Sequence, residues 1–376
     1  MKKFVFYLVL CLVITLAAGL TFPGCTQEGT GEKDTREEST KEEDKAKKIE
    51  DKDDKNYKQE DEEKSDEKKK EEIYIDYEKV KPNELGEFMI LMYHDIGDED
   101  GDWKTSRENF REDMERLYKK DYRLVDLMDM VNGQIDIPAG TTPVVLTFDD
   151  GHSGQFNLIE KNGEKIVDPD SAAGILLDLK EKYKDFTLAG NFYINYYPEP
   201  FGAREELAKN LEVLSNKGFD VGNHGYAHER LDKMDSPDQI QQELGKLQKI
   251  VKENFDGYKL ESLALAYGRW PKKEEYHEYV YSGKYNNTSY EHKAVLNVAW
   301  SPEISPFHKN FDPLDLERIR ANDEIEQEMD RWIKYFENNP EKRYISDGDP
   351  ETIAIPEAKE KSISEKVKQD YKIIAY

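Results

Sequence analysis

Cysteine is almost missing from this chain of 376 residues: there are two, and Cys11 lies inside an apolar N-terminal run. A form beginning at or after Cys25 has no pair to bridge, so a disulfide scaffold is excluded and a large core or a bound metal must hold the fold. Long apolar runs are equally scarce. Beyond "MKKFVFYLVLCLVITLAAGLTFPGC" no stretch approaches the ~20 residues that span a bilayer. Positive charge is in deficit, with 55 Lys and Arg against 81 Asp and Glu and a net charge of −26, which leaves no broad basic face for nucleic acid. No internal repeat occurs, and no His-Glu-x-x-His run, so neither a solenoid nor a metallopeptidase helix of that kind is encoded.

What is present divides the chain into three. Residues 1–25 have Lys2 and Lys3, an apolar run from Phe4 to Ala18, and small or turn-forming residues up to Cys25, the anatomy of an export signal. The single Cys25 after that run resembles the lipobox of bacterial lipoproteins, although Phe22 and Pro23 stand where those proteins prefer Leu and a small residue. The resemblance implies lipidation of Cys25 and anchoring to the outer face of the cytoplasmic membrane; an uncleaved anchor or ordinary cleavage are the alternatives, and all three place the remainder outside the cytoplasm. Residues 26–72 hold about 20 acidic and about 13 basic residues with almost no apolar ones, so they are expected to be a disordered spacer, ~40 Å long as a flexible coil. Residues 73–376 are expected to fold.

In that folded part strand-like and helix-like segments alternate. "EFMILMYHDI" and "TPVVLTF" read as strands, the second buried on both faces. "SRENFREDMERLYKKD" repeats apolar residues at helical spacing behind Ser106 as an N-cap. Further helices are expected over "DPDSAAGILLDLKEKY", "AREELAKNLEVLSNKG" and "PDQIQQELGKLQKIVKENF", and further strands over "FTLAGNFYIN", "FDVGNH", "ESLALAYG" and "HKAVLNVAW". Such alternation predicts an α/β fold with a mainly parallel sheet covered by helices, open or closed into a barrel.

In parallel β/α folds, chemistry sits at the C-terminal ends of strands. That rule selects His94 with Asp95, Asp149 with Asp150, His224, and Tyr267 with Gly268. Two adjacent carboxylates repel unless a cation or a proton uses them. His224 and His228 are four apart, a spacing that one helical turn would bring to one face. Two imidazoles and one carboxylate leave an open position on a zinc-like ion, the composition of a catalytic rather than a structural site. The second carboxylate is then free to take a proton from the attacking water.

"TFDDG", "NHGYAH" and "LAYG", in this order, resemble the polysaccharide deacetylases of the NodB-homology type. The resemblance implies a distorted (β/α) barrel that removes acetyl groups from N-acetylated sugars with a divalent metal. It makes Asp149 the base and Asp150, His224 and His228 the ligands of zinc, with cobalt or nickel as alternatives. "ILMYHDI" resembles the branch with poly-N-acetylglucosamine deacetylases, in which the acid histidine moves to the first strand; His94 would then protonate the leaving amine. His308 is the alternative by position, in a loop-like setting.

Two departures from the family pattern stand out. Gly225 follows the first histidine where Ser or Thr is usual. Ala264, Leu265 and Ala266 occupy the place of an Arg and prolines, so the guanidinium that orients the base is missing there, and Arg269 follows too late to match. Tyr267 and Trp270 are expected as sugar platforms, the backbone N–H of Tyr196 or Tyr197 as an oxyanion donor, and His152 as a rim residue of a long loop. The function expected is a metal-dependent hydrolase that removes N-acetyl groups from a cell-wall or extracellular N-acetylglucosamine polysaccharide. An acetyl ester hydrolase on xylan-like glycans and an inactive glycan-binding lipoprotein are the alternatives, and no protein partner is inferable.

Overall fold

The computed structural model describes residues 75–321 and 328–376; the signal segment with Cys25 and the acidic spacer lie outside the described residues. None of the described helices is long and apolar enough to cross a membrane.

Six parallel strands follow one another around a curled sheet. They are β1 (Glu87–Tyr93), β2 (Thr142–Phe148), β3 (Asn191–Ile194), β4 (Asp220–Asn223), β5 (Ser262–Ala264) and β6 (Ala294–Leu296), each hydrogen-bonded to the next. A seventh short strand, β7 (Ile319–Arg320), pairs in parallel with β1, Leu91 opposite Ile319. Just before it, Leu316 donates to Val295 of β6 and accepts from Asn297. The segment 316–320 therefore joins the last strand to the first and closes a distorted barrel.

The apolar strands have no solvent face, which is why they read as continuous runs rather than alternations. Met89, Leu91 and Tyr93 of β1 and Val144, Leu146 and Phe148 of β2 point into one core cluster, which the covering helices α1 (Arg107–Lys119) and α2 (Ala172–Lys182) complete. Phe88, Ile90 and Val145 point into the other, on the opposite face of the sheet. Burying one such Phe or Leu contributes about 1.5–3 kcal/mol. The helix starts are set locally: Ser106 accepts from the N–H of Asn109, and Ser171 from that of Gly174. Helix α3 (Leu207–Asn216) is followed by Gly218 with φ +83°, a left-handed turn that a Cβ would strain. Helix α4 (Pro237–Asn254) begins with Pro at its first position behind the Ser236 cap. At the C-terminus, Thr352–Ile355 pairs with Lys372–Ala375 and adds Ile353 and Ile355 to the second cluster.

Candidate active site

Each strand of the parallel sheet ends on the same side, and the first residues beyond β1, β2 and β4 are His94, Asp149 with Asp150, and His224. In register, Tyr93 lies opposite Phe148, so His94 and Asp149 leave the sheet at one level. The strand stops at Phe148 and Asp150 turns into left-handed backbone, φ +78°, so the adjacent carboxylates take different main partners while both stay within 4.0 Å of Nε2 of His224.

Asp150 faces the histidines. Its Oδ1 lies 3.5 Å from Nε2 of His224 and 3.4 Å from Nε2 of His228, and the three ligand atoms fall within 4.8 Å of one another. The two imidazoles do not share a helix. His224 to His228 is a loop in which Gly225 has φ +87° and His228 φ +54°, so left-handed backbone rather than a helical turn turns the second ring back on the first, 4.7 Å between centroids. Asp150 is also left-handed, φ +78°. Such residues cost on the order of 1–3 kcal/mol each and persist where the surroundings hold them, commonly at functional sites. The holder here is Glu243, whose Oε1 accepts from the N–H groups of Ala227 and Glu229. A Cβ on residue 225 would stand 2.6 Å from that oxygen. Glycine in place of the usual Ser or Thr thus has two causes, the φ value and the Glu243 carboxylate.

The donor set fits a divalent ion. Nδ1 of His224 lies 2.8 Å from the carbonyl of Ala264, an atom that can only accept, so Nδ1 carries the proton and Nε2 presents its lone pair toward Asp150. Burial works to lower the affinity of His224 for a proton, but Asp149 and Asp150 outweigh it and raise it. Surroundings that favour a proton at that nitrogen favour a metal cation there as well. Burial and the neighbouring His224 lower His228, which suits a neutral ligand. Burial acts to raise Asp150, and the imidazoles of His152 and His224 more than reverse it, keeping the carboxylate ionised.

Asp149, buried and 4.0 Å from Nε2 of His224, has as its main partner a residue the sequence motifs do not disclose. Arg318, fully buried on the closing segment, donates from its two terminal nitrogens to Oδ1 at 2.7 Å and Oδ2 at 2.8 Å. Its Nε donates to the carbonyl of Asn297, and one terminal nitrogen also reaches Oγ1 of Thr147. Burial alone would raise Asp149; the guanidinium, with His224 and His94, holds it below its ordinary value. The orienting arginine absent at residues 264–266 is supplied 169 residues from its carboxylate, and exposed Arg269 is not its substitute.

His94 belongs to this group electrostatically. Burial lowers it to about 4 against the opposing pull of Asp149 and Asp150. It is therefore neutral at pH 7, and a role as proton donor would require it first to take up a proton. Its ring rests 4.6 Å from that of Trp103, which in turn carries the guanidinium of Arg320 at 3.9 Å. His308 is remote from the site: its backbone bridges to Ile363, and its Nδ1 accepts from Asn310.

The two expected platforms separate. Tyr267 is 58% exposed, with its ring 4.5 Å from that of His228, so an aromatic face stands beside the candidate metal cluster. Trp270 instead packs against a third core cluster with His277 and Tyr281, its indole N–H donating to Asn297 at 2.8 Å. Its large apolar ring gains more from burial than from a place at the mouth. The backbone N–H groups of Tyr196 and Tyr197 both donate to the carbonyl of Tyr226, at 2.9 and 3.0 Å, and so are not available as oxyanion donors. The Tyr196 ring stacks on Tyr226 and under Arg204.

Residues 136–280, which include Asp149, Asp150, His224, His228 and Tyr267, match the sequence family described as Polysaccharide deacetylase. Over this segment the chain is similar to that family. No curated protein sequence matches it. Similar solved structures include a polysaccharide deacetylase from Bacillus cereus, at 21% identity over 62% of this chain and 64% of that one, TM-score 0.44. IcaB from Ammonifex degensii is similar at 16% identity over 66% and 97% of the two chains, TM-score 0.46. The Streptococcus pyogenes deacetylase PplD, solved in complex with acetate, is similar at 16% over 62% and 92%, TM-score 0.45.

Proposed function

We propose that this chain hydrolyses N-acetyl groups on an N-acetylglucosamine-containing polysaccharide of the cell wall or extracellular matrix. The observation that carries the reading is the division of labour between the adjacent carboxylates, Asp150 with two imidazoles and Asp149 with a buried arginine. Zinc suits the two imidazoles and carboxylate, and cobalt or nickel would bind the same set.

When bound, such an ion acidifies water and polarises the acetamide carbonyl. Asp149, held below the usual carboxylate range, is too weak a base to deprotonate free water, so its contribution is position. Arg318 keeps it ionised and fixed, and it accepts the proton as attack proceeds. Passing that proton to His94 and on to the departing amine nitrogen would close the cycle. Tyr267 offers a ring face to the sugar beside His228, and Trp103 an exposed edge beside His94. An O-acetyl ester is the second reading, favoured by the neutral state of His94, because an alkoxide leaves with less help than an amine.

The test is acetate release by the metal-reconstituted full chain from β-1,4- and β-1,6-linked N-acetylglucosamine polymers and from acetylated xylan. Release from an N-acetyl polymer, lowered about 10²–10⁴-fold by Asp149→Asn and by His94→Ala, is the expected result. Release from xylan alone, with His94→Ala unaffected, would establish the ester reading. No release from any glycan with the metal bound would leave a binding protein.

A further inference from the structure

We propose that His152 is a positioning residue for the metal centre, fixing the carboxylate of Asp150 through the oxygen that the ion does not need. The inference rests on the metal reading above but not on the substrate. Nε2 of His152 lies 3.4 Å from Oδ2 of Asp150, as near as His224 and His228 lie to Oδ1. Three imidazoles thus converge on one carboxylate, two on one oxygen and the third on the other. The cluster whose ligand atoms all lie within 4.8 Å of one another contains Asp150, His224 and His228 and omits His152. That geometry is a second contact on the carboxylate rather than a third imidazole on the ion.

His152 is not a loose rim residue, because its turn is pinned from three sides. The N–H of Gln155 closes the turn on the carbonyl of His152. The fully buried side-chain amide of Gln155 donates to the carbonyls of both Asp149 and His94, tying the turn to the ends of β2 and β1. Gly154 passes so close to the loop after β1 that a Cβ would fall 1.8 Å from the carbonyl of Ile96. A turn fastened this way holds the imidazole of residue 152 at a set distance from Asp150. With Oδ2 engaged, Oδ1 is kept toward His224 and His228. Partners that hold a ligating carboxylate or imidazole typically contribute 10–100-fold to metal affinity.

The test measures zinc affinity of the full chain by competition with a chromophoric chelator, for the wild type, His152→Ala and His152→Gln, alongside melting of each metal-free protein. The glutamine side-chain nitrogen reaches about as far as Nε2 of histidine and can donate to the same oxygen. Expected are a 10–100-fold loss for His152→Ala with unchanged metal-free melting, and recovery to within about threefold for His152→Gln. Unchanged affinity in His152→Ala overturns the proposal. Equal losses in both variants overturn it too, pointing to a direct bond to the ion; proton NMR of the cobalt-loaded wild type would then show three shifted histidine ring N–H signals instead of two. If His152→Ala does not fold, the glutamine variant and the cobalt spectrum decide alone. A wild type that binds no divalent ion overturns this proposal and the metal reading together. Zinc bound in the expected pattern without acetate release overturns the activity and leaves the positioning role standing.

Discussion

His224 and His292 are alike in most respects: both are 2% exposed, both set Nδ1 against a backbone carbonyl, at 2.8 and 2.7 Å, and they flank the same residue, Asn223. They differ at Nε2. That of His292 lies 3.1 Å from the side-chain amide of Asn223, a neutral partner, and burial pushes this imidazole down to about 4. That of His224 looks past the end of β4 at Asp149 and Asp150, which reverse the effect of burial and raise it. A buried histidine is structural or functional according to what its second nitrogen faces, and here one strand end separates the two cases. His292 also supports the other, since Asn223 accepts the N–H of Gly225 in the loop between His224 and His228.

Alanine at each position should split the two roles. His224→Ala is expected to abolish stoichiometric zinc binding while the metal-free protein still folds; His292→Ala should retain zinc but lose about 2–4 kcal/mol of stability, from lost hydrogen bonds and a cavity. Metal analysis with urea unfolding of both variants decides this, and a zinc-free His292→Ala that is otherwise stable would erase the distinction. The next effect concerns the charge that His224 faces. Arg318→Met leaves Asp149 buried without its cation, which should cost about 3–5 kcal/mol. The double variant Arg318→Met with Asp149→Asn should recover most of that in urea unfolding, though not activity. A single variant within 1 kcal/mol of wild type would show that the pair does not hold the base.

Asp150, His224 and His228 were legible as a candidate metal cluster because strand-end placement and residue type agree: "TFDD" and "NHGYAH" each close an apolar strand. Their backbone was not, since a four-residue spacing suggests a helical turn and gives no sign of left-handed residues at Asp150 and His228. Arg318 escaped notice for a topological reason. It immediately precedes a strand only two residues long, the one local signal is the alternation of Arg318 and Arg320 with Ile319 and Ala321, and its role depends on barrel closure that no local pattern encodes. Trp270 and the N–H groups of Tyr196 and Tyr197 show the converse error. Side-chain type and position near a strand end are compatible with a site, but indole burial and the Tyr226 carbonyl compete for them and win.

The pH dependence of stability, measured without metal in chelator, contrasts the two histidines by sign. Unfolded histidine titrates near 6.5. Because His292 titrates at about 4 when folded, the unfolded chain holds a proton between those values that the native chain lacks, so stability falls as pH is lowered through that window. The loss is about 1.4 kcal/mol per pH unit, or ~3 kcal/mol by pH 4. For His224, raised in the folded state, the contribution runs the other way: it is fully present below the unfolded value and disappears as pH rises through the folded one. Urea unfolding of wild type and His292→Gln at half-unit steps from pH 7 to 4 isolates the first term, since every other group is common to both. The stability difference should shift by ~3 kcal/mol in favour of the variant as pH falls. A difference independent of pH would mean that His292 finds an acceptor for a second proton inside the wall, and that the side chain of Asn223 is turned with its oxygen, not its nitrogen, toward the ring.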